Sequence, residues 1–284
     1  MKKIQLGKYD VEVAENGFFD KYKTNIDIEK IGKELSVDVD FFNTYKKEIR
    51  TYDGVELSVP IYYYDNSAIQ GIFTANYEKL KSLLPAGVEP IKIFPGRGLI
   101  AFTSFNYRIS DIDPYNEFSI MVVVNKPGVK GFGPLTIMKS QLKREAYGFV
   151  WNLPVTTPLA NLLGKISYSF PKYVTKISFE DKNDMIISSI FRDGKPEVTI
   201  KGRKIKTKKD KIINAHVLLH HKGNIAEAIS RVNPLQTGVS YLSKNCEIEL
   251  GSGQIADKLR TLEIGKMIRY DYMPDIQIML IPGD

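Results

Sequence analysis

From Val55 to Leu250 the chain repeats one device. Short runs of β-branched and aromatic residues alternate with stretches of Gly, Pro, Asn and Asp. β-branched and aromatic side chains suit a pleated, half-buried surface, and the intervening residues supply turns. Val55-Glu56-Leu57-Ser58-Val59 alternates apolar and polar, which predicts a strand with one face buried. Residues 99–107, 118–124, 174–179, 185–191, 197–200, 212–219, 239–242 and 247–250 also read as strands, with Ser110-Asp111-Ile112-Asp113-Pro114 as a turn. Only three helices are predicted in this region. Residues 74–84 place Tyr77, Leu80 and Leu84 on one face before Pro85; Thr157-Pro158 is an N-cap followed by a first-turn proline, with Gly164 closing that helix; residues 223–231 form a third short helix. Many short strands with few helices predict an α+β fold, mainly antiparallel, built as a curved sheet or barrel.

Residues 1–50 are charged and mixed, with helical spacing at Ile26, Ile28, Ile31 and Leu35. They are expected to form a partly helical N-terminal extension packed on residues 51–284. No linker composition or internal repeat divides the chain, and 43% hydrophobic residues suffice for one sizeable core, so a single domain is expected. One cysteine, Cys246, precludes an internal disulfide and fits a reducing compartment. With no leader-like apolar run after the first lysines and no stretch near the ~20 apolar residues of a span, a soluble cytoplasmic protein is expected, with no membrane partner.

The net charge of +7 raises the question of nucleic acid. Much of the excess sits in Lys201-Gly202-Arg203-Lys204-Ile205-Lys206-Thr207-Lys208-Lys209-Asp210-Lys211, between two predicted strands. That run lacks interleaved aromatics for base stacking, so it reads as a solvated hairpin rather than a binding site. Gly251-Ser252-Gly253-Gln254-Ile255-Ala256 fits a dinucleotide fingerprint, but too few residues follow to build a doubly wound sheet, so a turn is expected. His216, His220 and His221 are the only histidines. In a strand the first two share a face and the third opposes them, a poor arrangement around one metal ion. No G-x-S-x-G elbow is present.

The chemistry-bearing segment is Gly164-Lys165-Ile166-Ser167-Tyr168-Ser169-Phe170-Pro171-Lys172. A free lysine amine titrates near about 10.4 and is protonated at neutral pH. Apolar surroundings penalise the ammonium and can lower that value by roughly 3–5, which turns a lysine into a nucleophile able to form a Schiff base. The alternative is a lysine snorkelling from an edge strand into water. Glu117, at the head of the apolar run 118–124, is a candidate general acid or base, or else an exposed strand-end glutamate.

The aromatic-Pro-Lys run, with Gly164 eight residues before Lys172, resembles the reactive-lysine segment of the acetoacetate decarboxylase family. Tyr115-Asn116-Glu117 resembles that family's Tyr-x-Glu, and Lys266-Met267-Ile268-Arg269-Tyr270-Asp271-Tyr272 its closing strand. The resemblance spans roughly residues 60–275. It implies a closed, curved antiparallel β architecture around an apolar cavity, flanked by helices. It also implies a homo-oligomer and a lyase acting on a β-keto acid without metal or organic cofactor. Lys172 would be the nucleophile and Glu117 would shuttle protons or orient the substrate, with Phe102, Tyr168 and Phe170 as dry walls. Three departures stand out. Tyr173 replaces the second lysine that follows the reactive one, so desolvation alone must activate Lys172. Thr103 replaces a second family glutamate. The family's pocket arginine has no counterpart, its position falling near Asn66; Arg108 is the candidate substitute, provided it points inward. Decarboxylation, a same-fold Schiff-base aldolase or dehydratase, and a non-catalytic small-molecule binder all stay open.

Overall fold

The computed structural model describes residues 1–129 and 133–283. Two hairpins and two short helices precede the main body. β1 (Lys2–Leu6) pairs with β2 (Tyr9–Val13), α1 spans Phe18–Tyr22 and α2 Ile28–Leu35, and β3 (Glu48–Tyr52) pairs with β4 (Val55–Val59). The helical spacing of Ile28, Ile31 and Leu35 is realised in α2, whose N-cap Asp27 accepts from Lys30 N at 3.1 Å. The hairpin β1–β2 is an element the sequence reading did not foresee.

The body continues with β5 (Ile61–Asn76), α3 (Tyr77–Lys81), β6 (Arg97–Ser110), β7 (Tyr115–Val123), α4 (Gly133–Lys143), β8 (Glu145–Val155), α5 (Pro158–Tyr168) and β9 (Lys172–Val174). β10 (Ile177–Lys182), β11 (Met185–Arg192), β12 (Lys195–Arg203), β13 (Ile213–His221), β14 (Asn224–Ser240), β15 (Cys246–Leu250), α6 (Gln254–Thr261) and β16 (Met267–Ile281) complete it. Seven strands close on themselves in the order β13-β14-β16-β5-β6-β7-β8, the last returning to the first. All neighbours in this ring are antiparallel except β8 and β13, whose parallel register runs from Asn214↔Glu145 to Leu218↔Phe149. The predicted barrel is therefore present, closed by one parallel seam. β9 adds a second parallel pairing to β8.

Strand alternation sorts the barrel's side chains into two cores. The inward set, with Tyr63, Tyr107, Tyr115, Leu153, Val217, Ile276 and Ile278, merges with α5 and with Val11, Val13, Leu57 and Val59 of the N-terminal hairpins. The outward set, with Phe102, Phe118, Ile120 and Val122, is covered by the sheet β10-β11-β12-β15 through Ile186, Ile190, Val198 and Ile200. A third cluster seats Ile31, Phe41 and Phe42 against Tyr62, Tyr64 and Met279.

Several predicted boundaries shift for identifiable reasons. The helix expected over 74–84 is shorter, because β5 stays paired with β6 through Asn76↔Arg97 and only then does the Asn76 cap start α3. α5 runs through Gly164 and ends at Ser169, whose left-handed backbone closes it. The helix expected over 223–231 is absent: residues 224–231 are strand. Lys222 and Gly223 both have positive φ, the geometry of a two-residue hairpin turn, and Ala226, Ala228 and Val232 then face the barrel core. The run 174–179 is broken between β9 and β10, which belong to different sheets. The basic run 201–211 is likewise no hairpin. It links β12 in the outer sheet to β13 in the barrel, strapped to β14 by Lys208 and Thr237 exchanging backbone hydrogen bonds of 2.8 and 3.0 Å. Among the described residues no helix is long and apolar enough to cross a membrane.

Candidate active site

Lys172 enters the barrel by a short sequence of local constraints. At the end of α5 the Ser169 and Phe170 amides donate back to Lys165 O and Gly164 O, both at 3.1 Å. Pro171 then leads the chain into parallel register with β8, setting Lys172 beside the inward-facing Leu153. The aliphatic stem of Lys172 lies directly on α5. A Cβ placed on Gly164 would meet Lys172 Cδ at 2.5 Å and Cε at 2.8 Å. Gly164 therefore does not stop the helix; it makes the helix surface flat enough for the lysine to cross it.

The amine ends against Glu117. Nζ lies 2.8 Å from Glu117 Oε2, and the two residues are 4% and 7% exposed. Glu117 is brought there by β7, where it pairs with Phe105 on one side and Val155 on the other. Its carboxylate also accepts from Tyr107 OH at 3.2 Å and Tyr115 OH at 3.5 Å, and Tyr115 OH is 3.0 Å from Tyr63 OH. The Tyr115 and Phe170 rings lie with their centroids 5.4 and 5.5 Å from Nζ. Burial, and then the negative charge of Glu117, push the Tyr63, Tyr107 and Tyr115 hydroxyls above their ordinary range. They stay protonated and serve as donors. The amine and the carboxylate thus share a buried compartment at hydrogen-bond distance from each other.

The other predicted site residues divide. Thr103 faces inward, accepting from Gln70 Nε2 at 2.8 Å, two register pairs from Phe105 and Glu117. Phe170 shields Nζ, and Tyr168 stacks behind it with ring centroids 5.5 Å apart while donating to Leu280 O at 2.8 Å. Phe102 does not line the site: neighbours along a strand point oppositely, and with Thr103 inside, Phe102 packs outside against Phe73 in the second core. Arg108 is also outside and exposed, pairing with Asp65 beside Pro274, so it does not point inward. It borders a surface cavity of about 160 Å³ with Asn106, Phe179, Asp181 and Tyr272, on the barrel face opposite to Lys172. Tyr173 is turned away from Lys172 and donates to Asn152 Oδ1 at 3.1 Å, its hydroxyl pushed up to about 12 mainly by burial. A cation at position 173 would extend from the far face of β9.

Tyr63 and Tyr107 were not anticipated. The available signal was parity: with Glu117 inward, its cross-strand partner Phe105 and hence Tyr107 two residues on must also be inward. Two of the histidines have separate partners. His216 pairs with Glu227 and stacks on Tyr147, and His221 Nδ1 meets Ser169 Oγ. The glycine loop 251–253 does lead from a strand into a helix. The α6 terminus, however, is already occupied by Glu197, buried and accepting from Ile255 N at 2.7 Å, and a Cβ on Gly253 would strike that carboxylate.

A family model for acetoacetate decarboxylase matches residues 50–275. Among solved structures, one of acetoacetate decarboxylase is similar at 11% identity and a TM-score of 0.55, covering 79% of this chain and 87% of that one. The acetoacetate decarboxylase of Legionella pneumophila subsp. pneumophila str. Philadelphia 1 is similar at 13% identity and a TM-score of 0.55, over 84% and 90% of the two chains. The enduracididine biosynthesis enzyme MppR, complexed with pyruvate, is similar at 11% identity and a TM-score of 0.52, over 79% and 89%. No curated protein sequence matches the chain.

Proposed function

The chain belongs to the acetoacetate decarboxylase family, and from that membership we propose that it is a Schiff-base-forming lyase acting on a β-keto acid, with Lys172 as nucleophile. The observation that carries the reading is the buried contact of 2.8 Å between Lys172 Nζ and Glu117 Oε2 inside the barrel. Attack requires the neutral amine, and Glu117 is within reach of the proton that must leave. The amine then adds to the substrate's ketone carbon. Glu117 returns its proton to the departing oxygen, so that amine, acid and ketone become iminium, water and carboxylate. The iminium accepts the electron pair of the bond to the carboxylate group as CO2 leaves, giving an enamine. Protonation of the enamine carbon and hydrolysis restore Lys172. Tyr107 and Tyr115 hold the Glu117 carboxylate in place throughout by donating to it, and Phe170 keeps water from Nζ. The chemistry uses only the chain's own residues.

A condensation reading shares every step up to the iminium. It draws on a solved relative, MppR, complexed with the condensation product of pyruvate and imidazole 4-carboxaldehyde, similar at 11% identity and a TM-score of 0.51. Borohydride reduction in the presence of acetoacetate tests both readings. The expected result is a reduced adduct on Lys172, located by mass spectrometry, and its loss in Lys172→Ala and Lys172→Arg, since arginine keeps the charge and cannot be deprotonated. CO2 release alongside the adduct favours decarboxylation, and an adduct without CO2 favours condensation. No adduct with any keto acid leaves only a binding protein.

A further inference from the structure

Below the Glu117 pair the barrel interior carries a second polar line. Ser119 pairs in register with Thr103, Thr103 with Gln70, and Gln70 with Asp271. Directly opposed residues of antiparallel strands share a face, as Gln70 Nε2 donating to Thr103 Oγ1 at 2.8 Å shows. Thr103 and Ser119, each two residues from the inward Phe105 and Glu117, put that face inside. The two ends of the line differ. Asp271 is held by Arg269 through Nε and Nη2 at 2.8 and 2.7 Å. Ser119 is 4% exposed and its Oγ has no hydrogen-bond partner among the described residues. Thr103 is 3% exposed; its oxygen accepts from Gln70, and no acceptor among the described residues takes its own proton. Two buried hydroxyl donors on the inner face therefore have no acceptor among the described residues. A buried polar group without a partner costs free energy, so such a pair marks a place built for an acceptor brought from outside.

We propose that Ser119 and Thr103 form the subsite for the carboxylate of the keto acid whose ketone carbon Lys172 holds; this rests on the reading of Lys172 as the iminium former. The spacing fits. Ser119 is two residues along β7 from Glu117, about 7 Å at the rise of an antiparallel strand. Two carbon–carbon bonds of about 1.5 Å each and a hydrogen bond of about 2.8 Å span an interval of that order. The charge logic fits as well. Arg108 is outside the barrel, Arg269 is committed to Asp271, and Arg231, opposite Met279 of the third cluster, faces outward from β14, so no free guanidinium among the described residues is placed to clamp the carboxylate. Departure of CO2 discharges that group. An arginine would stabilise the charged ground state more than the nearly neutral departing group, whereas two hydroxyls orient the carboxylate with less of that penalty.

The test compares a substrate that has the carboxylate with a ketone that lacks it. KM for acetoacetate and borohydride trapping of acetone on Lys172 are measured in the wild type, Ser119→Ala and Thr103→Val. Hydrogen bonds to a charged group are worth enough that each deletion is expected to raise KM by about ten-fold or more, while acetone trapping changes little. An unchanged KM in both variants overturns the proposal. So does a parallel fall in acetone trapping, which would mean that the two residues support the fold of the site rather than the acceptor. If the wild type traps neither compound on Lys172, the Schiff-base reading itself fails and takes the subsite with it.

Discussion

Lys172 and Glu117 form an ion pair that neither could leave unaccompanied. Removing one member of a buried pair strands the other charge in a low-dielectric interior, at a cost of about 3–5 kcal/mol, whereas removing both is often nearly neutral. Glu117→Gln and Lys172→Met are each expected to lose stability on that scale. The double variant is expected to recover much of the loss, which denaturant titration of the three proteins reads directly. Equal additive losses would show that the pair is not electrostatically coupled. Gly164 acts on the same amine through shape. Alanine is a better helix former by about 1 kcal/mol, but its Cβ would stand 2.5 Å from Lys172 Cδ. Gly164→Ala is therefore expected to leave the melting temperature close to that of the wild type while reducing adduct formation on Lys172 by about ten-fold or more, because small displacements of a reacting group are costly. Normal trapping would show that the lysine stem can shift without moving Nζ.

At the scale of elements, the alternating and β-branched runs made most of the strands legible, and the Thr157-Pro158 start of α5 was readable from capping chemistry alone. Boundaries were lost wherever tertiary pairing overrode local signal. Residues 224–231 carry alanines and isoleucines compatible with either period, and only pairing to β13 and β16 makes them a strand. The partition of 174–179 between two sheets left no mark on composition. Lys172 and Glu117 were legible through their neighbours in sequence, but residue type alone carries no strand parity, and Phe102 and Arg108 lie outside the barrel. The N-terminal segment is joined to β5 by a second buried pair, Lys47 Nζ with Asp111 Oδ2 at 2.5 Å, where Asp111 also accepts from Tyr62 N and Tyr64 OH at 2.7 and 2.8 Å. That carboxylate is fully engaged in holding the elements together. The basic run is, in contrast, a connection between sheets held by its backbone at Lys208, with the side chains of Lys206, Lys208 and Lys209 exposed. Replacing those three lysines with glutamine is expected to leave turnover and melting temperature unchanged. Salt-sensitive micromolar DNA or RNA binding that disappears in the triple variant would assign the run a role of its own.

For the whole molecule, the barrel interior is distinguished by tyrosines packed where aliphatic residues would fill the same volume. Tyr63, Tyr107, Tyr115 and Tyr168 are all buried in the inner core, and burial raises each hydroxyl above its ordinary value. In the unfolded chain these groups titrate near about 10. Below that pH both states hold the protons and stability is independent of them. Above it the unfolded state sheds protons that the folded state retains, so the free energy of unfolding falls with pH by up to about 1.4 kcal/mol per pH unit for each tyrosine. Lys47 works in the opposite sense. Burial lowers its value although Asp111 opposes the shift, so below its unfolded value of 10.5 its contribution to stability grows as pH rises. One lysine is outweighed by four tyrosines once the latter begin to ionise. Urea midpoints are accordingly expected to hold or rise slightly from pH 7 to 9 and to fall steeply above about 10. Tyr62, Tyr64 and Tyr270 and the Cys246 thiol are raised by burial in the same sense. Tyr63→Phe is therefore expected to lower the alkaline slope by the share of a single tyrosine, at most about 1.4 kcal/mol per pH unit. An alkaline slope unaltered in Tyr63→Phe would place the titrating groups outside the barrel.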